Sequence, residues 1–179
     1  MEYAAAAIVL ALLIGLVALY NRLIADRNQA RQGYADIDVQ LKRRADLVPR
    51  LVETVRGYAA YEKAVLSSVT ELRSAALAAP RADERFGHER ALGAGLQKLL
   101  LLQEAYPQLK ADANFRDLSA QLIEVEEHLQ FARRFYNGAV KQYVTRLESF
   151  PDIFVARFFN FKPMPFFETD DRSAVKVTL

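Results

Sequence analysis

Seventeen consecutive residues near the start of the chain, AAAAIVLALLIGLVALY from Ala4 to Tyr20, carry no charge and no proline. With Tyr3 they make a helix of about 27 Å, close to the thickness of a bilayer's hydrocarbon core. Every later apolar run is interrupted by charge within a few residues. A secretory signal opens on basic residues and ends at a small-residue cleavage site. Here Met1-Glu2-Tyr3 has neither Lys nor Arg, and Leu19-Tyr20-Asn21-Arg22 offers no A-x-A pattern. Residues 1–20 therefore read as an uncleaved transmembrane anchor, in preference to a cleaved signal or a buried soluble helix.

Basic residues set the expected orientation. Arg22, Arg27 and Arg31 follow the span, with Lys42, Arg43 and Arg44 beyond, and none precedes it. The positive-inside bias places the N-terminus outside and the remainder in the cytoplasm, a periplasmic remainder being the alternative. The absence of cysteine agrees with a reducing compartment. With 24 Lys and Arg against 22 Asp and Glu, there is no global field to draw nucleic acid. About 160 residues remain past the anchor, enough for one domain, read as 21–168 with a short polar tail at 169–179.

Past the membrane the spacing is helical. Leu23, Ile24, Ala30, Tyr34, Ile37 and Leu41 recur by threes and fours through residues 21–45. Gly33 lowers helix preference there by about 1 kcal/mol, so packing must hold it. A proline deep in a helix costs about 3 kcal/mol, whereas one in a first turn costs little. Asp46 followed by Pro49 thus predicts a break near 46, with Asp46 as N-cap of a second helix over 47–78. A third opens near Asp83 and stops at Tyr106-Pro107. A fourth, from about Asn114 to Ser149, repeats Leu118, Leu122, Val125, Leu129, Tyr136 and Tyr143. The fold predicted is all-α, the anchor continuing into an antiparallel up-and-down four-helix bundle with a short aromatic-rich C-terminal segment.

In that topology the 45–47 and 106–114 turns form the distal tip. The 78–84 loop and the residues after 149 return toward the bilayer. The membrane-proximal end then gathers Arg22, Arg27, Arg81, Arg85, Arg146 and Arg157. The segment from Phe150 to Glu168 adds aromatics including Phe158, Phe159, Phe166 and Phe167. Such rings either plug the open end of the bundle or enter the membrane interface.

Chemistry-bearing constellations are scarce. Glu124 and His128 stand four apart on one helix, not in the Glu-x-x-His spacing of bundle metal sites, and the pattern occurs once. Gly87, Gly93 and Gly95 follow no strand and so make no phosphate loop; Gly93-x-Gly95 reads instead as close helix packing or a loose helix start. Lys42-Arg43-Arg44 reads as a helix C-terminal cluster complementing the dipole, with phosphate or acidic-partner contact as the alternative. No catalytic residue, cofactor or small-molecule substrate is indicated. Within the anchor, Ala7, Ala11 and Gly15 recur every four residues, a ridge that lets two membrane helices approach closely.

The stretches YNRLIADRNQAR, IDVQLKRRADLVPRLVETVRGYAAYEK, AYPQLKADANFRDLSAQLIEVEEHLQFARRFYNGAVKQY and FP…ARFFNF…FFE resemble the LemA family across residues 21–168. Tyr61 stands where that family often has His, and Val144 and Asn160 where it usually has Asn and Gly. The resemblance implies an anchored four-helix bundle in a bacterial inner membrane and no established catalytic residue. It also implies that Asp46, Pro49, Asn114, Phe115, Tyr136 and Asn137 are caps, turn formers or packing residues. Two functions fit: a structural protein that self-assembles at the bilayer as a homo-oligomer or scaffold, or an adaptor or regulator that brings a membrane protease or envelope-stress component to its clients.

Overall fold

The computed structural model describes residues 1–167; the tail expected at 169–179 lies outside them. Among the described residues every regular element is a helix, with no strand. Helix α1 runs Glu2–Tyr58, α2 Lys63–Ala78 and α3 Ala82–Leu101, which tightens into a 3-10 turn at Leu102–Glu104. Then come α4, Pro107–Ala111, α5, Ala113–Glu148, and α6, Asp152–Phe158. The all-α class and the long apolar N-terminal helix are as the sequence predicts. The chain divides into two compact units. The first combines Met1–Gln40 with Glu126–Pro165; the second combines Leu41–Val125 with the described residues from Phe166 onward.

The expected break near residue 46 does not occur. Helix α1 continues through Pro49 for 57 residues, about 86 Å, and Asp46 is an exposed mid-helix residue rather than a cap. The reason lies in one carbonyl. Pro49 has no N–H to give the oxygen of Ala45, four residues back. Arg73 of α2 supplies the missing donor, its Nε lying 2.7 Å from that oxygen. Pro49 itself is exposed, so its ring displaces no core side chain. Arg73→Met should therefore lower stability by about 1–2 kcal/mol, seen as a lower urea midpoint, by orphaning a carbonyl on a residue only 2% exposed. Adding Pro49→Ala, which returns an amide to the same oxygen, should recover most of the loss.

Moving the break changes the reading of the basic triplet. Lys42, Arg43 and Arg44 do not end a helix, so they complement no C-terminal dipole there. Arg43 lies 3.8 Å from Glu124 on the surface, while Arg44 is wholly buried against α3.

In the second unit four helical stretches surround one core. Val48, Leu51 and Val55 of α1 meet Leu66 and Val69 of α2, Leu92, Leu96 and Leu99 of α3, and Phe115, Leu118 and Leu122 of α5. Gly95 permits the contact between α3 and α2, since a Cβ there would sit 3.2 Å from Leu72. The expected distal turn at 45–47 is replaced by 59–62, which meets the 105–112 turn. Tyr106 donates its hydroxyl to Glu62 at 3.0 Å, and Tyr58 donates to Asp112 at 2.9 Å.

Asp112, not Asn114, caps α5, accepting the Phe115 amide at 2.8 Å. That amide, then the Tyr58 hydroxyl, hold the Asp112 carboxyl below its ordinary 3.8. A lowered folded value means that the cap stabilises above the unfolded value and weakens as pH falls through the folded one. Asp112→Ala should melt earlier than the parent at neutral pH. The gap should close progressively as the pH drops below 3.8.

Candidate membrane-interface site

The first unit is built on two antiparallel helices and a returning segment. Leu23, Ala30 and Ile37 of α1, and Leu129, Tyr136, Ala139, Val140 and Tyr143 of α5, form its buried stripes. Gly33 marks the closest approach: a Cβ there would lie 3.0 Å from the Tyr136 Cα and 3.0 Å from the Phe135 ring. The helix-weakening glycine is thus the point where two backbones meet. Asp26, 6% exposed, sits on the same buried stripe. It accepts Gln142 Nε2 at 2.9 Å and pairs with Arg146 Nε, joining the end of α5 to α1.

After α5 the chain turns at Phe150-Pro151, a cis peptide, into α6. Leu23, Val155 and Ala156 form a small core, with Leu19, Tyr20, Leu147 and Phe161 packed around it. The short helix therefore docks where the apolar run of α1 ends. Tyr20 meets Phe159 at a tilt with ring centres 4.8 Å apart and meets Phe161 edge to face at 5.7 Å. Arg27 lies over the Phe161 ring, 5.1 Å from its centre. Asn160 leaves α6 with φ 54°, a left-handed conformation that Asn adopts more readily than most residues. The segment then lies along α5, where Tyr143 donates to Lys162 O at 3.1 Å and Tyr136 to Pro165 O at 2.6 Å. Burial raises the Tyr136 hydroxyl to about 12 and shifts Tyr143 upward. Both phenols are therefore donors at any physiological pH.

The rings of this region divide by face. Phe150, Phe154 and Phe158 recur every four residues and are 81%, 66% and 82% exposed. Phe150 meets Phe154 edge to face at 6.0 Å, and Phe158 meets Phe159 at 5.0 Å. The inner face fills the space beside Tyr20; the outer face is a bare aromatic ridge. Arg22 and Arg157 are both exposed in the same unit. Aromatic and basic side chains together suit the headgroup layer, where a ring has an apolar body to bury and a cation finds phosphate.

The remaining expected positions lie as follows. Arg81 and Arg85 open α3 and belong to the second unit, where Arg81 pairs with Glu84. Phe166 and Phe167 also belong there, and Phe167 is a core residue, 2% exposed, with its ring centre 4.1 Å from that of Phe86. Ala7, Ala11 and Gly15 are exposed along α1, and nothing approaches the position of a Gly15 Cβ within 4 Å. Phe115 is buried, Asn114 exposed and Asn137 half-buried. Among the described residues, no group of three or more His, Asp or Glu is placed to hold a metal. By length and composition α1 can cross a membrane, with a mean hydropathy of 2.5 in its apolar window and none of that window buried.

Sequence reasoning counted Phe154 and Phe158 among the aromatic anchors of this segment but did not join them with Phe150 into one ridge. Their four-residue spacing was the available signal. It also missed Asp26, whose position between Leu23 and Ala30 puts a carboxylate on the apolar phase.

The family model that describes the LemA family matches residues 33–179. Among curated relatives, magnetosome proteins MamQ 1 and MamQ 2 of Paramagnetospirillum magneticum are each 20% identical over 186 aligned positions, covering 89% of this chain and 68% of theirs. Magnetosome protein MamQ of Magnetospirillum gryphiswaldense is 20% identical over 178 positions, covering 85% of this chain and 65% of its own.

Proposed function

The chain belongs to the LemA family, and we propose that it is a single-pass, membrane-anchored structural protein that self-assembles at the bilayer surface, with no catalytic task. The observation that carries this reading is the bare ridge of Phe150, Phe154 and Phe158 beside Tyr20, at the end of the apolar run. An anchor alone needs no such ridge. Three rings left in water forgo roughly 1–2 kcal/mol each that entry into the headgroup layer returns. The protein then holds the membrane at two places, through the span and through α6. Kinship with proteins named for a cell structure rather than a reaction favours a structural task. The basic residues beyond the span favour a cytoplasmic remainder.

The chain has no tryptophan, so a single probe reports without background. Phe154→Trp and Phe158→Trp, each in protein reconstituted into vesicles with brominated acyl chains, should give blue-shifted emission quenched by the bromines. Tryptophan at Phe131, further along α5, should not be quenched. Solvent-like, unquenched emission from both α6 positions would refute contact with the interface. Light scattering on detergent-extracted protein addresses assembly: a discrete oligomer agrees, and a monomer that co-purifies stoichiometrically with another membrane protein would favour an adaptor instead.

A further inference from the structure

Where α5 ends and α6 begins, the first unit sets two buried carboxylates against one guanidinium. The Asp26 and Asp152 side chains are 8% and 10% exposed, and Arg146 lies against both. Arg146 gives its Nε to Asp26. Its Nη1 comes only within 4.0 Å of Asp152 Oδ1, too far for a hydrogen bond. That oxygen is buried and has no hydrogen-bond partner among the described residues. A buried carboxylate short of both donors and countercharge is costly until something supplies them.

Asp152 also lines an open groove of about 440 Å³, many times the roughly 30 Å³ share of one water. Further along its wall come Ser149, Thr145 and Lys141, about one turn apart on α5. Lys141 is exposed and forms no ion pair among the described residues. The groove therefore offers a carboxylate at one end, a cation at the other and hydroxyls between. Its height follows from α1. Leu23 shares a small core with Val155 of α6, and Asp26 pairs with Arg146. These two residues stand about 5 and 9 Å past Tyr20, the depth of the headgroup layer beyond the hydrocarbon core.

We propose that this groove binds the phosphoethanolamine headgroup of a membrane lipid, its ammonium at Asp152 and its phosphate between Thr145 and Lys141. The inference rests on the membrane-interface reading above and names the lipid chemistry that the interface selects. A turn of the Asp152 carboxylate about its soft terminal bond presents the unpartnered oxygen to the groove. An ammonium then brings three donors and the missing positive charge. A choline headgroup carries the charge but no N–H, so the oxygen stays without a partner. A glycerol headgroup carries no cation, and its phosphate adds to a cluster already one negative charge in excess. The acyl chains leave the groove past Ser149, whose next residue is Phe150, the first ring of the exposed ridge. Groove and ridge thus serve one lipid.

The test is native mass spectrometry of the full-length protein, released from micelles holding equal amounts of phosphatidylethanolamine, phosphatidylcholine and phosphatidylglycerol. Each chain should retain one phosphatidylethanolamine, about tenfold or more in preference to the other two. Asp152→Asn keeps the shape and removes the charge. It should erase the preference and leave the helical content unchanged. Lys141→Gln, on an exposed side chain, should lower phosphatidylethanolamine retention several-fold. Equal retention of the three lipids, or an undiminished preference in Asp152→Asn, would overturn the site. Neither result touches the bromine quenching of Phe154→Trp in phosphatidylcholine vesicles, whose loss would overturn the interface reading instead. Soluble glycerophosphoethanolamine should compete only in large excess; displacement of the lipid at equimolar amounts would overturn a lipid as the source of the headgroup.

Discussion

Replacing Arg44 by Met should destabilise the second unit by about 3–5 kcal/mol, the largest effect expected of any single surface-neutral change in this chain. The Arg44 and Glu89 side chains are each 1% exposed, and their guanidinium and carboxylate are in direct contact. Arg44 also donates to the Glu89 carbonyl at 2.8 Å. Room for the guanidinium comes from Gly93, where a Cβ would sit 3.3 Å from Nη1. With Met in place, the Glu89 carboxylate stays buried without its cation, and its desolvation is no longer offset. Chemical melts of the protein in detergent should show the loss as an earlier transition. The double variant Arg44→Met, Glu89→Met should lose much less than the single one. A double variant as unstable as the single one would mean that the ion pair adds net stability beyond what apolar packing provides.

Gly33→Leu should be nearly as damaging to the first unit, at about 2–3 kcal/mol. Leucine is the better helix former by nearly 1 kcal/mol, so helix propensity predicts the opposite sign. Packing decides, because the first side-chain atom would meet the Tyr136 backbone at 3.0 Å. Backbone cannot rotate aside as a long side chain can, so α1 and α5 must separate. Gly33→Ala, with the same Cβ and no more, should cost less but still melt earlier than the parent. By contrast Gly57→Ala, where nothing lies within 4 Å, should be neutral or stabilising.

These residues show how far the sequence could be read. The helical periods were plain; α5 begins and ends within a residue or so of the expected bounds, and α3 begins where expected but ends at Leu101, tightening into a 3-10 turn before Tyr106-Pro107. The break near 46 was misplaced because a proline's cost depends on what becomes of the carbonyl four residues back. Here a side chain 28 residues onward satisfies it, and no local rule contains that partner. Arg44 and Glu89 were visible in another way. Arg44 falls between Leu41 and Val48, and Glu89 between Phe86 and Leu92, each at core spacing. A charge on the apolar phase of one helix calls for an opposite charge on another, and the chain supplies one. The aromatic segment could be recognised but not apportioned. Burial of Phe167 and exposure of Phe158 depend on which helix each segment lands on, and the two rings are alike in sequence.

The absence of any joint in α1 has a mechanical consequence. A tether with a hinge after Tyr20 would let the anchor tilt or shift in depth while α6 stayed at the surface. Helix α1 has no such hinge, and Leu23 fixes α6 against it. The vertical distance from the outer end of the span to the aromatic ridge is then constant. Bilayers differ in thickness by several ångströms, and an apolar run of about 27 Å matches the thinner ones. In a thicker bilayer the whole rod must sink or the lipid must thin around it, and the ridge rides along. If the rings enter the headgroup layer as proposed, the helix works as a fixed-length gauge, setting their depth according to the thickness of the membrane.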